Sequence, residues 1–268
     1  MEKTTLFFGG TVSQNYEDYL GAFLFEPFAV DLAARLNFDA VNDVLELACG
    51  SGRLTKHIAE TLPADVEFTA TDLSADMISV AKTKVNSDRV RWATADMIDL
   101  QFINDSFDLV VCQFGLMLVP DQMKALAEIL RVLKPGGKVV FNTWTDRDYN
   151  KVWAIGDKVL QSFFGENIVG QNPGPFALGD KELVFEMLKT TGFSETHATT
   201  LECIGETDSA ANVAYGFIHG LPIGSFVQKR DAELMPEIIK SLEENYRNEL
   251  GEHPLKAQQK ALIFEAVK

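Results

Sequence analysis

Val44-Leu45-Glu46-Leu47-Ala48-Cys49-Gly50-Ser51-Gly52-Arg53-Leu54-Thr55 is a short apolar run that breaks into glycines and then resumes with helical spacing. It reads as a strand, a tight turn and the start of a helix. Val44, Leu45 and Leu47 suit a buried parallel strand, while Gly50 and Gly52 allow positive φ and let the backbone approach a ligand with no Cβ in the way. A single G-x-G fits an ordinary strand-to-helix turn as well as a cofactor seat, so the decision rests on what lies further along the chain.

A second strand is expected over 66–71, and Asp72 ends it, at the roughly 20-residue offset from the glycine turn where nucleotide-binding folds place a carboxylate for ribose hydroxyls. That offset favours a ligand with an unphosphorylated ribose. A dinucleotide fingerprint would need a third glycine at position 55, which here is Thr55. Its absence weakens a nicotinamide reading. Arg53 stands in the turn itself, either as a cation for the carboxylate of an amino-acid ligand or as a solvated first-turn residue.

The pattern then repeats. Ser74 caps a helix whose inner face is Met77, Ile78, Ala81 and Val85. A third strand is expected over 90–94, followed by Ala95-Asp96-Met97. A fourth is expected over 107–112, and Gln113 and Phe114 follow it at the strand's carboxyl end, where open parallel sheets bind ligands. Pro120 and Asp121 open a helix with Met123, Leu126, Ala127, Leu130 and Leu133 inward. Leu133-Lys134-Pro135-Gly136-Gly137 stops that helix and turns the chain into a fifth strand over 138–143.

Together, Glu46-Leu47-Ala48-Cys49-Gly50-Ser51-Gly52, Asp72, Ala95-Asp96-Met97 and the Leu133–Gly137 run resemble the class I S-adenosylmethionine-dependent methyltransferases. Within that class the chain looks most like the small-molecule enzymes of the quinone-biosynthesis type, over about residues 10–205 and the last strand. The resemblance implies S-adenosyl-L-methionine as cofactor and a binding set of Glu46, Ala48, Gly50, Gly52 and Arg53 around the first turn. It assigns Asp72 to the ribose, Leu73 and Met77 to the flank of the adenine or ribose, with Met77 equally suited to the core, and Asp96 with Met97 to the adenine. Gln113 and Phe114 would stand near the reactive methyl. Tyr16 would close over the methionine end, although it equally suits an amphipathic helix packing Tyr16 and Tyr19 on the core.

The fold expected is α/β, a doubly wound Rossmann-like sheet of seven strands in the order 3-2-1-4-5-7-6, with the last strand antiparallel. It forms one domain over 1–268, with an N-terminal arm over 1–22 and a helical cap inserted at about 145–180 and 207–250. The loop from Gly170 to Gly179 and the face Ala214, Phe217, Ile218 and Leu221 would line an acceptor pocket or simply pack on the sheet.

At 268 residues and 46% hydrophobic composition the chain can build one sizeable core. A net charge of −15 argues against a nucleic-acid partner, whose phosphates are neutralised by Lys and Arg. Three dispersed cysteines without a C-x-x-C suit a reduced cytoplasm, and no apolar run is long enough for a membrane span. No histidine has a metal partner or a spaced acidic partner. His57 reads as solvated or on a helix flank, and His219 is the one catalytic candidate, placed where a cap would aim it at the acceptor.

The function expected is methyl transfer to a small organic acceptor, with the partner a small molecule and the oligomeric state open. Two alternatives stay open: a cofactor-binding protein of this fold with other chemistry or a sensing role, and a nicotinamide-dependent oxidoreductase.

Overall fold

From Thr11 the chain runs as one helical rod made of α1 (Thr11–Asn15), a π-helical stretch (Tyr16–Phe25) and α2 (Glu26–Arg35). This is a computed structural model that describes residues 9–165 and 174–268. Strands and helices then alternate: β1 (Asp43–Leu47), α3 (Arg53–Thr61), β2 (Glu67–Asp72), α4 (Ala75–Lys84), β3 (Val90–Thr94), β4 (Phe107–Gln113), α5 (Gln122–Val132) and β5 (Leu133–Trp144). Beyond them come α6 (Lys151–Phe164), α7 (Lys181–Thr191), β6 (Ser194–Thr207), α8 (Ala210–His219), α9 (Ile223–Asp231), α10 (Met235–Leu250) and β7 (Leu255–Val267).

The strands form one sheet in the order β3-β2-β1-β4-β5-β7-β6. The first five are parallel, and β7 runs antiparallel to both β5 and β6. Alternate strand residues go to opposite faces, and both faces of the central strands are covered, so these strands are largely apolar. Val44, Leu109, Val111, Val140 and Ile263 face a core shared with Leu32, Leu54 and Ile58. Leu45, Leu47, Val110, Val139, Phe141 and Phe264 face the other, shared with residues of α5, α6, α8 and α10.

Helix starts follow from local chemistry. Ser74 accepts from Met77 N at 3.3 Å, Asp121 from Lys124 N at 3.0 Å and Asp180 from Glu182 N at 2.9 Å, so each satisfies a donor that the first turn leaves open.

Several expectations are corrected. Strand β5 begins at Leu133 rather than 138, because the Lys134-Pro135-Gly136-Gly137 run becomes an irregularity inside the strand, between the pairs Phe107↔Leu133 and Leu109↔Lys138. A Cβ at Gly137 would stand 2.8 Å from Lys134 O, so the close turn requires glycine. The buried face of α5 is Ala125, Leu126, Ile129 and Val132, while Met123 and Ala127 are exposed. Strand β6 runs on to Thr207, and β7 starts at Leu255 instead of 261. In that added part of β7, buried Leu255, Ala257 and Gln259 alternate with exposed Lys256 and Gln258. Gln259 hides the period in the sequence because it is polar, yet it is buried and donates to Phe23 O at 2.9 Å. The N-terminal segment from Thr11 is helical, so the expected arm is an arm only in the sense that it precedes β1. Residues 1–8 of it, and residues 166–173 of the expected cap, lie outside the described residues.

The helical rod packs against α8 through glycines. A Cβ at Gly216 would meet Tyr19 Cβ at 2.6 Å, and one at Gly220 would meet Tyr16 N at 2.9 Å. That close approach sets Tyr16 over the carboxyl ends of β1 and β4, where the candidate site lies.

Candidate functional site

Two loops at the carboxyl ends of adjacent strands shape the site. After β1, Ala48 (φ 52°), Gly50 (φ 54°) and Gly52 (φ 81°) take left-handed backbone; after β4, Phe114 does so too (φ 54°). For Ala48 and Phe114 this conformation is strained, and the surroundings hold it. Phe114 N donates to the buried Asn142 Oδ1 at 2.8 Å. A Cβ at Gly115 would overlap Ala48 Cβ, so glycine there lets the two loops touch.

Asp72, at the end of β2, ties the turn to the next loop. Its Oδ2 accepts from Gly50 N at 2.8 Å and its Oδ1 from Ser74 N at 2.8 Å. Burial raises its carboxyl above the usual range, against a downward pull from those backbone bonds. The Leu73 backbone also donates to it, and since a carboxylate offers about four lone-pair sites, capacity for a further donor remains.

Asp72 lines a cavity of about 250 Å³ that begins at Tyr16, Ala48, Gly50 and Met77 and passes Gln113, Phe114 and Gly115. No atom lies within 4 Å of where a Cβ on Gly50 would stand. Gln113 Nε2 donates to Phe25 O at 2.9 Å, which fixes its amide beside the rod. Further in, the walls are aromatic and aliphatic: Trp144, Trp153, Phe176, Phe217, Leu221 and Ile223. Phe114 and Trp144 stack at 4.1 Å and 14°. Phe25 and Phe28 meet Phe114 edge-on. Thr143 Oγ1 donates to Leu178 O at 2.9 Å and so ties the segment carrying Phe176 to β5.

A smaller adjoining pocket of about 30 Å³ is lined by Tyr16, Cys49, Ser51, Arg53 and neighbours. Arg53 is already engaged: it donates to Glu17 at 2.5 Å and to Glu26 at 2.7 Å. Gly21 makes room for its guanidinium, since a Cβ there would collide with it. His57, expected in solvent or on a helix flank and without an acidic partner, is half-buried and does have one, with Nε2 2.8 Å from Glu26 Oε1. Lys84 completes the cluster at 2.7 Å from Glu17.

Of the residues singled out in the sequence, Tyr16, Ala48, Gly50, Arg53, Asp72, Met77, Gln113 and Phe114 come together on these two cavities. The others stand elsewhere. Glu46 is 1% exposed beneath the turn, its Oε2 without a hydrogen-bond partner among the described residues, and burial pushes its carboxyl up to about 8. Gly52 is a packing residue, with the place of a Cβ only 2.8 Å from Ala81 Cβ, so it seats α3 on α4. Leu73 is exposed, and Asp96 lies in a loop where its Oδ1 accepts from Ile98 N at 3.1 Å. Met97 is buried in the core on the α5 side. His219 is off the cavity walls, its ring 4.3 Å from that of Tyr215, and desolvation lowers its pKa. Of the expected acceptor face, Phe217 and Leu221 reach the cavity and Ala214 and Ile218 do not.

Asp157 was missed. It lines the cavity from α6 together with Trp153 and Leu160. The spacing 153, 157, 160 puts the three on one helix face, so a carboxylate on an otherwise apolar stripe was the available signal. Among the described residues no group of His, Cys, Asp and Glu is arranged to hold a metal, and no helix is long and apolar enough to cross a membrane.

The residues present fit S-adenosylmethionine: a carboxylate with spare acceptor capacity, an open glycine beside it, and an adjoining apolar chamber. Comparisons with known proteins agree. Residues 44–137 match the family described as "Methyltransferase domain". A demethylmenaquinone methyltransferase of Leptospira interrogans is 32% identical over 190 residues, covering 69% of this chain and 74% of that protein. Its counterpart in Lactiplantibacillus plantarum is 40% identical over 111 residues, 40% of this chain and 47% of that one. The chain thus spans about half the length of several relatives it matches, including 55% of a Staphylococcus epidermidis protein of the same name. In fold it is similar to the Haemonchus contortus phosphoethanolamine N-methyltransferase 2 solved in complex with S-adenosyl-L-methionine, with TM-score 0.59 and 18% identity over 96% of this chain and 56% of that one.

Proposed function

The chain belongs to the class I S-adenosylmethionine-dependent methyltransferases, and on that premise we propose that it transfers the cofactor's methyl group to a small apolar aromatic acceptor seated between the β4 loop and helices α6, α8 and α9. The observation that carries this reading is Asp72, a carboxylate with spare acceptor capacity at one end of a cavity whose other end is walled by Trp144, Trp153, Phe176 and Phe217.

In this reading Asp72 accepts from the ribose hydroxyls, the backbone at Ala48 and Gly50 approaches the ligand closely, and Arg53 with Tyr16 bounds the amino-acid end. Leu73, Met77, Asp96 and Met97 take the adenine side, where exposed Leu73 offers apolar surface for a ring to cover. Glu46 and Gly52 support the turn from beneath. The cofactor supplies an electrophilic methyl on a sulfonium. The chain's own task is placement: the stacked Phe114 and Trp144 and the rings around them exclude water and hold a planar acceptor in line, and orientation of this kind supplies several kcal/mol of barrier lowering, about 7–11 at best.

The names of the relatives make demethylmenaquinone the first acceptor to test, and the aromatic walls suit a planar ring. Helices α6 and α8 to α10 serve as the cap over this chamber. The net charge of −15 argues against nucleic acid as acceptor. Three unpaired cysteines support a reducing, cytoplasmic setting.

The test is calorimetry with S-adenosylmethionine, its demethylated product and NAD, followed by mass-spectrometric product analysis with a panel of small quinols and phenols. NAD binding tighter than S-adenosylmethionine binding would sink the reading, as would methyl transfer confined to RNA or protein.

A further inference from the structure

We propose that Asp157 is the proton-accepting group of the acceptor chamber: it receives the hydrogen of a hydroxyl carried by the acceptor, and so selects acceptors that have one. This rests on the methyl-transfer reading of the cavity and assigns that cavity a residue it otherwise lacks. Three titratable side chains line the cavity among the described residues, namely Tyr16, Asp72 and Asp157. Tyr16 and Asp72 belong to the end formed by the glycine turn. Asp157 stands with Trp153 and Leu160 on the face that α6 turns to the aromatic walls.

A carboxylate in such a wall is costly to ionise unless something compensates. Arg147 compensates in part. It lies 3.1 Å from Asp157 Oδ2, and its guanidinium sits 4.8 Å over the ring of Phe176, another wall residue. The remaining neighbours push the other way or are neutral. Asp148 adds negative charge from the same loop as Arg147. Tyr246, from α10, is buried with its hydroxyl donating to Val152 O at 3.0 Å, and so is a neutral neighbour. Desolvation outweighs the arginine and pushes the Asp157 carboxyl up to about 6. The group is therefore ionised near neutral pH and basic enough to take a proton, the combination general-base catalysis needs.

In the step itself the hydroxyl O–H bond breaks, its electron pair stays on the acceptor oxygen, and the proton goes to Asp157 and from there to solvent. The acceptor is thereby made electron-rich at the moment of transfer.

The probes are 2-naphthol and 2-methoxynaphthalene, which share the ring system and the oxygen and differ in that the second carries a methyl in place of the hydroxyl hydrogen. Their binding is measured by calorimetry across pH 5–8, with and without S-adenosylhomocysteine. The parent chain should prefer 2-naphthol by roughly tenfold to a hundredfold above pH 6, since a hydrogen bond to a charged group has about that effect. The preference should fade as pH drops through about 6, where Asp157 gains its proton. Asp157→Asn should abolish both the preference and its pH dependence while leaving S-adenosylhomocysteine affinity unchanged. Arg147→Gln should move the midpoint up by about one pH unit, since it removes the charge that holds the carboxyl down.

A preference that survives Asp157→Asn, or a parent chain that binds both probes alike, overturns the proposal. If Asp157→Asn does not fold, an unmoved midpoint in Arg147→Gln overturns it independently. Failure of the parent to bind S-adenosylhomocysteine, with the naphthol preference intact, would count against the methyl-transfer reading and still support Asp157 as the proton acceptor.

Discussion

Replacing Asp72 by alanine tests the cofactor seat and the turn together, and the two effects are separable. In the folded chain the carboxylate receives Gly50 N and Ser74 N, each at 2.8 Å. Leaving two partly buried donors unsatisfied costs about 1–3 kcal/mol each. Part of that is returned, because a buried carboxylate whose pKa is raised by desolvation no longer has to be accommodated. The net loss of stability should be about 1–3 kcal/mol, read as a shift in the midpoint of urea unfolding. The cofactor term is larger. Two ribose hydroxyls donating to a charged group contribute about 3 kcal/mol or more, so S-adenosylhomocysteine should bind at least a hundredfold more weakly. Asp72→Asn keeps one acceptor oxygen but turns an N–H₂ toward one of the two backbone donors, and it should fall between parent and alanine variant in both measurements. Calorimetry on folded protein reads the binding term apart from the stability term. An alanine variant that is destabilised as expected yet binds S-adenosylhomocysteine like the parent would refute the argument, and would leave Asp72 a purely structural tie between two loops.

Other consequences follow from the buried and crowded groups beneath and beside that seat. The Glu46 carboxyl is raised to about 8, so the folded state favours its protonated form: its contribution is full at low pH and is lost as pH rises from the ordinary carboxylate range toward 8. Stability should fall across that window with a slope approaching about 1.4 kcal/mol per pH unit, and Glu46→Gln should flatten the slope in urea titrations run from pH 5 to 8. Gly52→Ala combines a left-handed φ of 81° with a Cβ 2.8 Å from Ala81 Cβ, and should cost about 1–3 kcal/mol, with Ala81→Gly restoring only the steric share. Arg53→Gln leaves Glu17 and Glu26 facing each other at the rod; limited proteolysis should then cut within residues 11–25 before global unfolding, whereas a cleavage pattern like that of the parent would show that the ion pairs do not hold the rod.

The sheet was legible because its pattern is local. The central parallel strands β1, β4 and β5 are largely apolar runs, each is followed by a turn signal, and the glycine turn with Asp72 orders the first two strands. What the sequence hid was hidden for identifiable reasons. Leu133 to Gly137 carries every sign of a helix stop, and a helix does stop there, but Leu133 also pairs with Phe107 of β4, and residues 134–137 form an irregularity before the ladder resumes at Lys138. The start of β7 was obscured by Gln259, a buried polar side chain whose partner, Phe23 O, is far away in sequence. The register of α5 slipped because Met123 and Ala127 are apolar yet exposed, while the true inner face at 125, 126, 129 and 132 has the same period.

The candidate site divides along the same line, and the division has a physical cause. A backbone that must come close to a ligand needs glycine, and a carboxylate that meets a ribose must follow a strand, so that half of the site is written into a few adjacent residues. Ala48 and Phe114 show the limit of that logic, since both hold left-handed backbone without being glycine. Their conformation is stabilised from outside, by Asn142 on β5 and by the space that Gly115 leaves, and neither contact has a local signature. The chamber is an extreme case. Its walls come from β5, α6, α8, the start of α9 and the segment at Gly174–Phe176, so no single stretch carries its composition. Within it, Asp157 alone could have been noticed, as a charge on the stripe Trp153, Asp157, Leu160, and its meaning still depended on Arg147 being close enough to permit the charge and too few other charges being near to hold it down. A carboxylate on an apolar helix stripe is therefore most informative where the fold supplies it with one incomplete counter-charge, because that is the setting in which it can both ionise and take a proton.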